Sequence, residues 1–325
     1  MTLNFIEVCA GAGGLSQGFI KAGLKPILLI DNDKDCCKTL KENHKNINIK
    51  CEDMKQINLD EYKNKVDIFC GGIPCQSWST AGKRGGTKDE RGNLIYTFID
   101  LLKSIKPKIF IIENVKGMTN YDKGKALEEI IKLLECDKTY NVKYKVLNAN
   151  DYDVAQKRER LFIIGTLEEL NINYEFPKPL ENKPVLKDVL ENVPPSIGAQ
   201  YSEKKKEIFN LVPEGGCWVD LPTEIQKEYL GKSFTSGGGK RGIAKRLSMD
   251  KPSLTLLCSP QQKQTERCHP KETRPLTVRE YARIQSFHDD YVFIGSMNSQ
   301  YKQIGNAVPV NLAYNIAKSI KDLCI

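Results

Sequence analysis

Between residues 3 and 165, six short apolar runs alternate with amphipathic stretches, and that rhythm leaves few folds open. The runs at 3–8, 26–30, 66–70, 108–112, 142–147 and 161–165 have strand length and are rich in Val, Ile, Leu and Phe. Segments 15–22, 35–43, 94–105 and 124–134 place apolar residues at helical spacing. Alternation of this kind predicts an α/β fold, a doubly wound and mostly parallel sheet. Near Phe176-Pro177-Lys178-Pro179 the pattern changes. Prolines recur at 177, 179, 184, 194 and 195, and periodicity fades until about residue 275. The expectation is a larger α/β domain over 1–179, completed by 283–325, with a smaller loop-rich domain at 180–282. A helix starting near Thr277 leads back, and 306–321 reads as a closing amphipathic helix.

In an open α/β sheet, chemistry gathers at the carboxyl ends of the strands. The run ending at Cys70 leads directly into Gly71-Gly72-Ile73-Pro74-Cys75-Gln76-Ser77, which displays Cys75 on a loop at that edge. The run 109–112 ends in Glu113-Asn114-Val115. A thiol and a carboxyl delivered to one edge form a candidate catalytic pair.

The first strand runs into Ala10-Gly11-Ala12-Gly13-Gly14 and then a helix. Glycines let backbone N–H groups and a helix N-terminus approach a ligand closely. The dinucleotide fingerprint is matched only in part, because Ser16 stands where its third glycine belongs. Asp31 follows at the end of the second strand, where an acid can hold ribose hydroxyls, and Asp53 ends the short run 47–51. No Walker lysine accompanies the glycines. A nucleoside carrying an amino-acid carboxylate fits as well as NAD, with the ribose on Asp31 and the adenine amino group on Asp53.

Charge is concentrated. Of the net +8, residues 232–274 carry ten Lys and Arg against three acids, in a stretch rich in Ser, Thr, Gly and Gln. That composition suits phosphate contacts by a polyanion-binding segment. Eleven cysteines in a chain of 325 residues, with no Cys-x-x-Cys pair and no export signal after Met1, predict reduced thiols in the cytoplasm and no metal.

Together these segments resemble the C5-cytosine DNA methyltransferase family. The likeness spans residues 5–320 apart from the central basic domain. Its most specific parts are the Pro74-Cys75 motif, Glu113-Asn114-Val115, Gln156-Lys157-Arg158-Glu159-Arg160 and Gly305-Asn306-Ala307-Val308-Pro309. The resemblance implies use of S-adenosyl-L-methionine, with S-adenosyl-L-homocysteine as product, and methylation of a cytosine flipped out of double-stranded DNA. By resemblance Cys75 is the nucleophile, Glu113 the cytosine-binding acid, and Arg158 and Arg160 its supports. Gly11, Gly13, Gly14, Asp31, Asp53 and Asn306 line the donor site, with Pro74 and Leu94 at its methyl end. Ser79, Lys83, Arg84 and Arg91 in the basic loop 77–93, and Lys240, Arg241, Gln262, Arg267 and Arg274 in the central domain, are the expected DNA contacts. Arg274 also matches an arginine that organises the recognition domain. A monomer working in the bacterial cytoplasm and nucleoid, beside a restriction nuclease, is the implied setting, with no membrane and no obligate protein partner. The chain departs from the family at Cys9, where Phe is usual, at Asn32, where a larger apolar residue is usual, and at His288, where Pro is common.

The chemistry explains the residue types. Cytosine C5 is a poor nucleophile, and thiolate addition at C6 makes it enamine-like. Cysteine suits the role because it attacks as thiolate and leaves well. A protonated carboxyl beside N3 takes up the displaced charge and selects cytosine, which requires a raised pKa at Glu113. Arg158 is assigned to the base O2 or a phosphate, away from Glu113. Two alternatives stand beside this expectation: an RNA cytosine methyltransferase of the same fold, and a non-catalytic regulator that binds DNA or donor. A Cys-His hydrolase needs a histidine near Cys75, and the chain has only His44, His269 and His288.

Overall fold

The computed structural model describes residues 2–74, 93–136, 138–235 and 242–323. By its internal packing the chain divides into two units. The first comprises 1–153, 158–181 and 307–325, and the second 154–157 and 182–306.

The first unit is built on seven strands: β1 (Asn4–Val8), β2 (Lys25–Asp31), β3 (Asn48–Cys51), β4 (Ile68–Gly72), β5 (Ile109–Val115), β6 (Tyr140–Asn148) and β8 (Glu159–Leu167). Their order across the sheet is β3-β2-β1-β4-β5-β8-β6. All neighbours run parallel except β8, which is antiparallel to both β5 and β6. Helices α1 (Gly14–Lys21), α2 (Lys34–Asn43), α3 (Asn93–Ile105) and α4 (Lys125–Leu134) connect the strands, and α10 (Val310–Lys321) packs on α1. The central strands are apolar on both faces, as a sheet covered by helices requires. Phe98 of α3 stacks on Phe69 of β4 at 4.5 Å and meets Phe110 of β5 edge-on at 6.5 Å. The order in which strands are added reverses between β1 and β4, so their carboxyl ends form the topological switch point at which such sheets bind ligands.

Two details differ from the sequence expectation. The short run at 47–51 is a paired edge strand, because β2 offers it a free edge. The closing helix begins at Val310 and not at 306, because Pro309 caps it with extended backbone. Asn306 instead ends α9 (Met297–Asn306) in the second unit.

The second unit has little regular structure. Its strands, β7 (Gln156–Lys157) and β9 (Ser253–Leu254), are two residues each, and α5 (Leu186–Leu190), α6 (Glu203–Asn210), α7 (Thr223–Leu230), α8 (Val278–Ile284) and α9 are short. A small core of Tyr201, Phe209, Val212, Leu221, Leu230, Ile243, Ala244 and Cys268 holds it. The rest is done by buried side chains that bond to backbone. Arg246 donates through Nε to Val212 O at 2.8 Å, through Nη2 to Phe209 O at 2.6 Å and through Nη1 to Glu272 O at 3.1 Å.

Candidate active site

At the carboxyl end of β1 the chain turns through Gly11 and Gly13, whose φ values of 54° and 82° lie in the left-handed region that only glycine enters without strain. The turn aims the Gly11 N–H at Asp31 Oδ2, 2.7 Å away, while the Asp33 N–H donates to Oδ1 at 2.8 Å. Asp31 ends β2, so the parallel pairing of β1 and β2 brings the glycine loop and this acid together. Asp53, just beyond β3, accepts from the Lys55 N–H at 3.0 Å. Cys9 lies against both acids, its Sγ 3.4 Å from Met54 Sδ. Burial raises the Cys9 thiol pKa, and the charges of Asp31, Asp53 and Glu7 raise it further. Three of the expected donor residues, Gly11, Asp31 and Asp53, therefore share one negatively charged corner. Gly13 and the buried Gly14 start α1 beside them. Pro74 is exposed beyond β4, and Leu94 opens α3 partly buried against the core.

Glu7 was not anticipated from the sequence. It is 1 % exposed on β1, bonded to Ser16, and its Oε2 has no hydrogen-bond partner among the described residues. Burial, aided by the charge of Asp31, pushes its carboxyl up to about 8 against the opposing bonds from Ser16. An acid inside an otherwise apolar strand run was the available signal.

A second constellation lies at the ends of β4 and β5. Gly72 and Glu113 are register partners, and Glu113 is buried. Asn114, also buried, donates through Nδ2 to Ile73 O at 3.2 Å, tying β5 to the residue before Pro74. Because β8 runs antiparallel to β5, Arg160 pairs with Val115 and swings its Nε to within 2.9 Å of Glu113 Oε1. Burial raises the Glu113 pKa and outweighs the charges of Arg160 and Arg158 and the hydrogen bond from Arg160, all of which lower it.

Arg158 sits differently from expectation. It is 2 % exposed, and its Nη2 donates to Ala307 O at 3.1 Å. In this conformation it braces the segment before α10 and presents no surface to a phosphate. Cys75, Ser79, Lys83, Arg84, Arg91, Lys240 and Arg241 lie outside the described residues.

In the second unit Asn306 is exposed, and its Oδ1 accepts from Cys258 Sγ at 3.0 Å. Gln262 is exposed, as a DNA contact must be. Arg267 is not: it is 6 % exposed, with Nη1 on Glu266 O at 2.8 Å. The expectation of a DNA contact there is corrected, because its guanidinium is committed to holding backbone. Arg274 forms a two-pronged pair with Glu280, at 2.7 and 2.8 Å, and also bonds Glu272. These pairs use the same donors a phosphate would need.

The seven-stranded sheet with one reversed strand is the Rossmann-like fold of S-adenosylmethionine-dependent methyltransferases. An Entamoeba histolytica methyltransferase, EhMeth, superposes with a TM-score of 0.71 at 17 % identity, covering 99 % of this chain and 98 % of that one. An S. pombe Dnmt2 methyltransferase does so with a TM-score of 0.72 at 16 % identity, covering 99 % and 100 %. Within that class the assignment is specific. The sequence model for the C-5 cytosine-specific DNA methylase family matches residues 3–322, and the chain belongs to that family. It is 52 % identical over 324 residues to the Type II methyltransferase M.Sau96I of Staphylococcus aureus, covering 98 % of this chain and 75 % of the relative. It is 50 % identical over 328 residues to M.Eco47II of Escherichia coli, covering 98 % and 78 %.

Proposed function

We propose that this DNA (cytosine-5-)-methyltransferase takes its methyl group from S-adenosyl-L-methionine and works through a covalent bond between Cys75 and cytosine C6. The observation that carries the proposal is the buried Glu113 carboxyl, raised in pKa and held by Arg160 at the end of the strand next to the one that leads to Pro74 and Cys75. The donor corner fits the methyl donor on charge. Two carboxylates around Cys9 repel a pyrophosphate and favour a cationic sulfonium. Asp31 Oδ1 and Oδ2, each with more than one acceptor direction, suit vicinal ribose hydroxyls.

The donor supplies an electrophilic methyl on sulfur; the chain supplies everything that makes C5 able to take it. The target cytosine leaves the duplex, at a cost of roughly a few kcal/mol offset by phosphate contacts. Cys75 thiolate forms a bond to C6, and the ring electrons move toward N3, which takes the proton of Glu113. Arg160 keeps Glu113 in place and offsets the carboxylate charge left behind. C5 takes the methyl group as the methyl–sulfur bond of the sulfonium breaks to leave the neutral thioether. C5 then loses its proton to a base, the C6–S bond breaks to return the thiolate, and N3 gives its proton back to Glu113. Arg158 acts from behind by fixing the Ala307 segment. The setting we infer is a monomer that protects host DNA at a short GC-containing palindrome, within a restriction-modification system.

The test is covalent capture. A duplex carrying 5-fluorocytosine at the target, incubated with donor and full-length protein, yields an adduct that survives denaturing electrophoresis. Cys75→Ser yields none and transfers no labelled methyl. Equal transfer by Cys75→Ser, or a parent protein that 5-fluorocytosine never captures, overturns the mechanism. Labelled transfer to transfer RNA in preference to duplex DNA overturns the substrate.

A further inference from the structure

Resting on the proposed use of S-adenosyl-L-methionine and on the family resemblance that places Asn306 at the donor site, we infer that a buried glutamine pair, Gln156 and Gln285, positions Asn306 and ties methyl-donor affinity to the segment around Leu256. Gln156, on β7, is fully buried. Its Oε1 accepts from the Leu256 N–H at 2.9 Å, and its Nε2 donates to Gln285 Oε1 at 2.9 Å. Gln285, also fully buried, caps the end of α8 and donates through Nε2 to Ile304 O at 2.7 Å. Ile304 is in the last turn of α9, where carbonyls have no helical partner, so Gln285 supplies one.

The relay ends two residues before Asn306, and two further contacts continue it. Gly305 sits so close to Leu257 that a Cβ there would lie 2.5 Å from Leu257 O. Cys258 Sγ then bonds Asn306 Oδ1. Residues 256–258 and 304–306 are thus joined at successive points, and the glutamine pair spans the first. The pair is chemically specific. Gln285 must accept with one terminal atom and donate with the other, which neither an ionised Glu nor an apolar residue does. Because the group is buried, water cannot substitute for a lost partner. The stretch 253–258 lies in the loop-rich region expected to read DNA, so whatever DNA does to that stretch reaches Asn306. A ligand on either side then changes affinity for the other by the same factor.

The experiment titrates S-adenosyl-L-homocysteine into full-length protein, with and without unmethylated plasmid DNA. The expected results are a dissociation constant about tenfold weaker in Gln285→Glu and Gln285→Met, and loss of any tightening by DNA. With saturating donor, kcat stays within about twofold of the parent, a KM-type effect. Affinity of Gln285→Glu recovers as pH falls and its carboxyl regains a proton to donate, which a general loss of packing does not produce. Tyr229→Phe, which removes bonds to the buried Glu266 in the same unit, serves as control: lower unfolding temperature, unchanged affinity. Equal affinities in parent and both Gln285 variants overturn the relay, as does an equal loss in Tyr229→Phe. Should Gln285→Met fail to fold, the acid recovery of Gln285→Glu decides alone, and its absence overturns the relay. A parent that binds no homocysteine donor product refutes the functional assignment instead.

Discussion

The two units differ in how far they rely on arginine to satisfy backbone: Arg158 on Ala307 O is the described case in the first, and the second uses several. In the first, seven hydrogen-bonded strands satisfy most of the backbone, and Arg160 is free to pair with the buried Glu113 carboxyl. In the second, strands two residues long satisfy almost nothing, and Arg246 and Arg267 hold carbonyls that a sheet would otherwise engage, while Arg274 pairs with the Glu280 carboxylate. A guanidinium has five donors in a rigid fork, so one arginine can replace several ladder hydrogen bonds. The lesson concerns the basic stretch 232–274: part of its positive charge is internal scaffolding, and only the exposed remainder, such as Lys232, Lys251, Lys263 and Lys271, is open to a polyanion.

The contrast breaks if arginine and carboxylate variants in the two units behave alike. Glu113→Gln keeps an acceptor for Arg160 but has no acidic proton, and kcat for methyl transfer should fall by roughly 10²–10⁴-fold with the fold intact. Parent activity should decline as pH rises through the raised pKa of Glu113, and that alkaline limb should vanish from the residual activity of the variant. Arg246→Met should do the reverse. It should cost on the order of 3 kcal/mol of stability, read as lost hydrogen-exchange protection confined to residues 182–306, because several buried carbonyls lose a charged donor.

Glu7 sharpens the same comparison from within the sheet. Its carboxyl titrates near 8 in the folded state against 4.5 when unperturbed, so folding favours the protonated form. Stability from this group is fully present below the unfolded pKa and is lost as pH rises through about 8. Between about pH 6 and about pH 8 the parent should lose on the order of 2 kcal/mol through this group. Glu7→Gln should flatten that slope in denaturant unfolding. The smallest effects are local caps, one in each unit. Asp33→Ala, at the start of α2, and Thr277→Ala, at the start of α8, should each cost about 1 kcal/mol. Near-equal values would show that the units differ in long-range satisfaction of polar groups and not in their helices.

Much of the site could be read directly from the chain. Gly11 and Asp31 are 20 positions apart yet bonded, as the strand-turn-helix-strand pattern required. Glu113 lies at a strand end beside the approach to Cys75 for the same reason. What escaped depended on burial. Arg158 and Arg160 occupy equivalent-looking places in one motif, but Arg158 falls in the break between β7 and β8 and reaches Ala307, while Arg160 lies within β8 opposite β5 and reaches Glu113. Arg267 looked like a phosphate ligand because sequence reports its charge and not its exposure.

Local pattern alone determined the sheet, the order of its strands along the chain, the family and the edge where chemistry gathers, because periodicity and short motifs are properties of neighbours. Tertiary structure decided which acids have raised pKa values, which arginines are buried and that Gln285 bonds the last turn of the helix ending at Asn306. Desolvation and long-range hydrogen bonds fix those, and both depend on residues more than a hundred positions away.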